Sequence, residues 1–412
     1  MALSTVLITG AASGIGRAAA QHFAASHWRC VLVDRDAQGL ALLARALPVP
    51  AQGAHEYRVA DLTSASDVQA LAGQVPALDA LINNAGMSDS RNLPMVEQTT
   101  ADLDRLLALN LRAPAALIQA LSAGLKPGAR IVNVASGAGL RAIPWRGAYS
   151  ASKAGLIAQS QALARARPDV CVTVLCPGFV RTELVDGLIA AGRLRPEGAV
   201  AKIPLGRMAA PEEMAAALGF LASPAAAPLT GQVLAVDGGS SVFGGSQPCA
   251  PALLPPMPWD APLSLSVEGG TPEAWGAEPS LPTALAYQAC LSLSLEPMAA
   301  GDRWNWVHQA ATRFAARYGQ RASLTLLLPA PSAVPWRDAG ETAAIRMLIA
   351  TLACEWGAKA LRINALELAP GMTAQQVAPV VHFVAGAGAQ YLTGQTLSLV
   401  LSLAEPLQKS SP

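Results

Sequence analysis

Tyr149 and Lys153 stand four positions apart in the stretch Tyr149-Ser-Ala-Ser-Lys153, thirteen residues after Ser136. On a helix that spacing puts both side chains on one face. A tyrosine titrates at about pH 10 and is a poor base at neutrality. A neighbouring ammonium favours the phenolate and lowers that pKa. The trio can therefore take the proton of an alcohol, or return it to a carbonyl, while Ser136 hydrogen-bonds the substrate oxygen and steadies its developing charge. An alcohol that gives its proton to Tyr149 must also lose a hydride, and a carrier for it is sought upstream.

Gly10-Ala-Ala-Ser13-Gly14-Ile15-Gly16 follows an apolar run at 5–8 and opens a helical pattern over 15–25. Glycines suit a backbone that turns tightly and approaches a pyrophosphate closely, and a helix N-terminus adds free N–H groups and a favourable dipole. Asp34 lies 24 residues past Gly10, at the end of the second strand, where a carboxylate can hydrogen-bond a ribose 2′-hydroxyl. The same charge repels a 2′-phosphate, which points to NAD rather than NADP. Two alternatives stay open: Arg35 could hold a phosphate, and Asp34 could cap a helix N-terminus.

With these residues in order, the chain resembles the short-chain dehydrogenase/reductase family over 1–245. Thr9-Gly10-x-x-x-Gly14-Ile15-Gly16 is similar to that family's dinucleotide fingerprint, and Tyr149-x-x-x-Lys153 to its catalytic pair. The resemblance implies that Asp61 and Leu62 touch the adenine. It places Asn84, Ala85 and Gly86, in Asn83-Asn-Ala-Gly86, along the cofactor, and Pro177, Gly178, Val180 and Thr182 at its nicotinamide end. It also implies that Tyr149 and Lys153 contact the cofactor, Lys153 through the ribose hydroxyls. Asn110 then anchors a water that relays protons from Lys153, although an asparagine among leucines can equally satisfy a neighbouring backbone. Asp237, in Ala235-Val-Asp-Gly-Gly239, reads as a turn after the last strand.

These residues need a scaffold. Strand-like segments at 5–8, 30–33, 56–59, 80–82, 130–134, 171–175 and 232–236, with helical segments between, predict a Rossmann-type α/β fold with a doubly wound parallel sheet. Right-handed crossovers put the loops after the strands on one edge, where ligands bind. Residues 183–206 fall where the family carries a substrate lid, with Leu184, Leu188 and Ile189 as a partly apolar roof and Gly187, Gly192 and Gly198 allowing movement. Leu140, Arg141, Ile143 and Trp145 form the wall after Ser136. Arg141, Arg146, Arg181 or Arg193 could bind a substrate acid or simply be solvated.

After 245 the composition changes. Eight prolines in the 35 positions 246–280 predict a linker or a surface-packed strap. Apolar periodicity resumes near 281, and motifs recur: Pro144-Trp-Arg146 as Pro335-Trp-Arg337, Cys176-Pro-Gly178 as Ala369-Pro-Gly371, and Leu229-Thr-Gly-Gln232 as Leu392-Thr-Gly-Gln395. Their offsets of 191, 193 and 163 describe a duplicated half lacking about thirty residues where the first copy has 179–211. Residues 281–412 are thus expected to be a smaller, degenerate α/β domain of related origin, without a glycine-rich loop or a complete sheet. Its tyrosine and lysine positions fall at Asp338 and Thr342, which cannot do the chemistry above. Segments 303–318 and 341–356 resemble the helices through which family members dimerise. This half is expected to dock on the first as a pseudo-subunit, the rival being an independent binding domain; further homo-oligomerisation stays open.

The formal charge of +1 gives no argument for nucleic acid or an anionic membrane. The N-terminus lacks a basic n-region, and no apolar run is long enough to span a bilayer, so a cytoplasmic location is expected. Six cysteines form no C-x-x-C pair, and five scattered histidines show no ligand spacing, so no metal is expected. The residues favour an NAD-dependent oxidoreductase acting on a secondary alcohol or ketone. NADPH-dependent carbonyl reduction and a non-catalytic dinucleotide-binding scaffold are the rivals.

Overall fold

A computed structural model describes residues 3–48, 54–88, 93–277, 286–294, 302–330 and 336–401, without the side chains of 336–339. The chain begins with β1 (Thr5–Thr9), α1 (Gly14–Ala25), β2 (Arg29–Asp34), α2 (Ala37–Ala46), β3 (Glu56–Val59), α3 (Ala65–Ala72) and β4 (Leu78–Asn83). Then follow α4 (Thr100–Leu107), a π-helical turn at Ala108–Arg112, α5 (Ala113–Ala120), β5 (Leu125–Val134), α6 (Gly147–Ala166) and β6 (Cys171–Pro177). Next come α7 (Glu183–Ala190), α8 (Pro196–Val200), α9 (Pro211–Leu221) and β7 (Val233–Val236).

These seven strands form one sheet in the order β3-β2-β1-β4-β5-β6-β7, the doubly wound arrangement expected from the strand-like segments. Its central strands β1, β4 and β6 are largely buried on both faces because helices cover both. Leu7, Val31, Leu81, Ile131 and Val172 build the core of one side, each at most 1% exposed. The order reverses beside β1, so the loops after β1 and β4 diverge and open a crevice at the strand C-termini.

The second half has more sheet than the sequence predicts. It contains β8 (Leu263–Glu268), β9 (Tyr287–Leu293), α10 (Asp302–Arg317), β10 (Ala322–Pro329), α11 (Trp336–Trp356), β11 (Leu361–Leu368), α12 (Ala374–Ala385) and β12 (Thr396–Leu399). Its five strands pair in parallel in the order β12-β11-β10-β9-β8. They take the places of β7, β6, β5, β4 and β1; counterparts of β2 and β3 are missing among the described residues. One expectation is therefore corrected. The proline-rich stretch is not linker throughout, because Leu263-Ser-Leu-Ser-Val-Glu268 makes an edge strand between prolines. The half also has a glycine turn: Gly269 follows β8 with φ 82°, and a Cβ there would lie 2.9 Å from the Leu293 carbonyl oxygen. The Asp338 side chain and residues 278–285 lie outside the described residues.

Backbone packing does not divide the chain at 245. One compact unit comprises Met1–Leu175, Leu221–Val233 and Val400–Pro412; the other comprises Cys176–Phe220 and Leu234–Leu399. Within the second unit, Phe220 of α9 stacks on Phe383 of α12 with ring centroids 4.0 Å apart. The α10 and α11 segments that resemble dimerisation helices pack on their own sheet through Val307, Phe314, Ile345 and Ile349.

Arg362 on β11 organises this unit. It is 1% exposed. Its guanidinium donates to the carbonyls of Val384, Ala385, Gly386, Ala389 and Leu392 and to the Tyr287 hydroxyl, at 2.8–3.1 Å. Three of those carbonyls belong to the C-terminal end of α12, where the helix dipole favours a cation. Burial holds the other interior groups inert: it pushes the Cys30 thiol up to about 12 and that of Cys290 up to about 11.

Removing the Arg362 charge leaves six acceptors short of a donor. Arg362→Met is expected to lower unfolding free energy by about 3–5 kcal/mol, read from urea denaturation. A loss below about 1 kcal/mol would contradict this role.

Candidate active site

The glycine loop is shaped by contacts that no side chain could share. Gly10 and Gly14 have φ of 64° and 52°. A Cβ on Gly16 would sit 2.0 Å from the Gly10 carbonyl oxygen, and one on Gly10 would sit 2.9 Å from Ala85 Cα. Ser13 is the exposed N-cap of α1, and Ile15 follows on its first turn. Asn84 closes the loop from the β4 side, its amide donating to the carbonyls of Thr9 (3.0 Å) and Gly10 (3.2 Å). The Thr9 hydroxyl accepts from the backbone of both Asn84 and Ala85.

Asp34 ends β2 beside this loop. Its carboxylate accepts from the Ala12 and Asp36 amides at 3.0 and 3.2 Å. It is not the cap of α2; Asp36 is, accepting from Gly39. Arg35 is exposed. Asp61 follows β3 with its carboxylate held below the usual range, first by the Thr63 hydroxyl and backbone amide and also by the nearby Arg35 charge. Leu62 beside it is buried. A turning glycine backbone, a helix N-terminus and an acid at the end of β2 together fit a dinucleotide.

The catalytic candidates converge in the same unit. Tyr149 and Lys153 lie on α6, with Tyr149 half-buried. Lys153 is 4% exposed, and its Nζ donates to the Val134 carbonyl at the end of β5 at 2.9 Å. A Cβ on Gly86 would stand 3.3 Å from Lys153 Nζ and 3.2 Å from Asn110 Oδ1, so these polar groups share the space that Gly86 leaves open. Asn110 sits fully buried in the π-helical turn, a distortion common at functional sites. Its amide oxygen accepts from the Met87 backbone (2.9 Å), and its amide nitrogen donates to Met87 O (2.9 Å) and Ser152 Oγ (3.0 Å). Asn110 thus satisfies a neighbouring backbone and also stands beside Lys153. Ser136 is partly accessible, its hydroxyl accepting from the Ala138 amide.

Two positioning features were not singled out from the sequence. Ser152 Oγ donates to the Tyr149 carbonyl (2.8 Å) and so ties Asn110 to α6. A Cβ on Gly139 would meet Lys153 C at 2.8 Å, so its bareness lets the Ser136 turn lie on α6. Trp145 is 59% exposed with φ 61°, a conformation rarely held by a bulky residue. Leu140 and Ile143 beside it in sequence are also exposed. Arg146 donates to Ser88, and Arg181 pairs with Asp186.

The other unit carries Pro177, Gly178, Val180 and Thr182. Gly178 admits no side chain, because its Cβ would lie 2.8 Å from Asp237 Cα. Val180 is buried and bridges Ala209. The Thr182 hydroxyl caps α7 by accepting from Val185. Asp237 is the turn residue expected, accepting from Gly239 N, Ser240 Oγ and Ser241 N. Burial raises its pKa, against the pull of those donors. Among the described residues no cluster could hold a metal, and no helix is long and apolar enough to cross a membrane.

Comparison with known proteins agrees with this geometry. The family model described as enoyl-(acyl carrier protein) reductase matches residues 10–241. An uncharacterised short-chain type dehydrogenase/reductase, y4vI, of Sinorhizobium fredii is 40% identical over 240 residues, 57% of this chain and 43% of that relative. The chain therefore spans less than half the length of that protein. The D-threitol dehydrogenase of Mycolicibacterium smegmatis is 40% identical over 247 residues, 57% of this chain and 92% of the relative. A solved complex of Pseudomonas aeruginosa RhlG with NADP is 32% identical, with a TM-score of 0.54 over 58% of this chain and 97% of that one.

Two outcomes follow. Gly86→Ala crowds Lys153 Nζ and Asn110 and is expected to lower kcat at least tenfold while leaving the melting temperature within a few degrees; unchanged kcat would contradict the placement. Because the folded-state pKa of Asp237 is raised, its contribution to stability is present below the ordinary carboxylate range and lost as pH rises through the raised value. Asp237→Asn should therefore lose least stability, relative to wild type, at neutral pH and most in acid, as read from urea midpoints across pH; a pH-independent difference would contradict the shift.

Proposed function

Because the chain belongs to the short-chain dehydrogenase/reductase family of oxidoreductases, which act on CH–OH and keto groups, we propose that it moves a hydride between NAD(H) and a secondary alcohol or its ketone, with Tyr149 as general base in oxidation and general acid in reduction. The observation that carries this reading is the buried Lys153 ammonium, held by the Val134 carbonyl one helical turn from Tyr149. Its charge favours the phenolate, so Tyr149 Oη can accept the alcohol proton near neutral pH. Ser136 Oγ donates to the substrate oxygen and stabilises the charge that develops on it. Asn110, beside Lys153, would hold the water through which that proton leaves.

A nicotinamide dinucleotide, when bound, supplies the hydride acceptor or donor. Gly10, Ser13, Gly14, Ile15 and Gly16 would hold its phosphates, Asp34 its adenosine ribose, and Asn84, Ala85, Gly86 and Lys153 its nicotinamide side. Asp34 supports NAD, since a carboxylate at the end of β2 beside the glycine loop would repel a 2′-phosphate. A second reading, NADPH-linked carbonyl reduction, draws on exposed Arg35 and on the NADP bound to the Pseudomonas relative.

A panel of secondary alcohols that includes tetritols, assayed with NAD⁺, tests the reaction. Tyr149→Phe should lower kcat by about 10²–10⁴-fold with dinucleotide affinity retained. Asp34→Ala should narrow the preference for NAD over NADP. Turnover surviving in Tyr149→Phe would overturn the mechanism, and tight NADP binding indifferent to Asp34 would overturn the cofactor assignment.

A further inference from the structure

The contacts between the repeated segments follow a rule. Phe220 and Phe383, which stack on each other, are separated by 163 positions. That is the offset relating Leu229-Thr-Gly-Gln232 to Leu392-Thr-Gly-Gln395, and it also carries β7 onto β12. Phe383 is thus the counterpart of Phe220 in the second copy. Tyr391 is likewise the counterpart of Pro228. The Tyr391 carbonyl accepts from the Gly238 amide at 2.9 Å, and the Pro228 carbonyl accepts from the Val400 amide at 3.0 Å; Val400 lies one residue from the counterpart of Gly238. Reciprocal contacts, and an axial residue meeting its own counterpart, are the mark of a two-fold self-complementary interface.

Tyr391 is the residue of the second copy set deepest in these contacts, with 0% exposure. Its hydroxyl donates to the Arg207 carbonyl at 2.9 Å, and the Arg207 guanidinium lies 4.9 Å from its ring centre. That guanidinium is fixed by a bidentate pair with Glu213. The Tyr391 ring also presses on Gly238, where a Cβ would come within 2.8 Å of it. These two segments hold the stretch 178–181. Ala209 N donates to Phe179 O (2.9 Å), Arg181 N donates to Ala209 O (2.8 Å), and Gly178 N donates to Val236 O (3.3 Å).

We propose that the second half is a built-in subunit, seated through this local two-fold contact, and that Tyr391 is the positioning residue through which it fixes Gly178–Thr182. That stretch is the one assigned above to the nicotinamide end, so the functional part of the inference rests on the proposed reaction. Tyr391 touches neither substrate nor cofactor; it acts through Arg207 and Gly238.

The test uses the full chain with Tyr391→Phe, which keeps the ring and loses only the hydroxyl, and Tyr391→Leu, which loses both. Amide hydrogen exchange is followed at Arg181 and Ala209, with the β1 amides as reference. Binding of NADH or NADPH, whichever the wild type prefers, is followed by fluorescence. In Tyr391→Phe the Arg181 and Ala209 amides should exchange about five- to tenfold faster, those of β1 should be unchanged, and the dinucleotide should bind several-fold more weakly. Tyr391→Leu should exaggerate both effects. Unchanged protection at 181 and 209, acceleration shared equally by β1, or unchanged dinucleotide affinity would each overturn the proposal. Wild-type protein inactive on every alcohol would count against the proposed reaction alone, because neither readout requires turnover.

Discussion

An ammonium that is 4% exposed is costly to bury, by several kcal/mol per ion in a protein interior. Much of the catalytic unit is arranged so that Lys153 can stay charged there. The last carbonyl of β5 accepts its proton. A Cβ on Gly86 would press against Lys153 Nζ at 3.3 Å, and one on Gly139 would strike the Lys153 backbone at 2.8 Å. The π-helical turn carries Asn110 to the same place, and Ser152 ties that asparagine to α6. A tyrosine one turn away on the same helix face then meets a fixed positive charge. The acid–base role proposed for Tyr149 depends on that charge being held rather than solvated.

The second half carries a smaller parallel sheet of its own. Among the described residues it shows no counterparts of β2 and β3, and its five strands follow the order of β7, β6, β5, β4 and β1. Its buried cation is Arg362, whose guanidinium gathers five carbonyls and a phenol into a fixed end for α12. That end leads into Ala389–Leu392 and so to Tyr391. Lys153 and Arg362 are thus both buried cations that donate to backbone oxygens.

Much of this was legible in the residues. The glycine loop, Asp34, Asn110, Ser136, Tyr149 and Lys153 are polar or bare positions whose spacing already carries geometry, and the structure gathers them in one unit. Local competition was harder to see. Asp36, not Asp34, caps α2, because two acids lie within reach of the same helix start. The Thr182 hydroxyl is spent on capping α7. The strand β8 was hidden by flanking prolines, although Leu-Ser-Leu-Ser-Val alternates as an edge strand does. Which faces of the repeat meet could not be read from helical periodicity, since the apolar residues of α10 and α11 that pack first serve their own sheet. The offset of 163 did hold that answer, but only a contact between counterparts reveals it.

The most direct measurement of the central claim is an ultraviolet titration of tyrosinate in wild type, Tyr149→Phe and Lys153→Met, each with saturating dinucleotide. The account predicts one tyrosine in the wild type ionising well below about pH 10, absent from Tyr149→Phe and returned toward the ordinary value in Lys153→Met. A wild-type curve in which every tyrosine titrates at or above the ordinary value, superimposable on that of Lys153→Met, would contradict it.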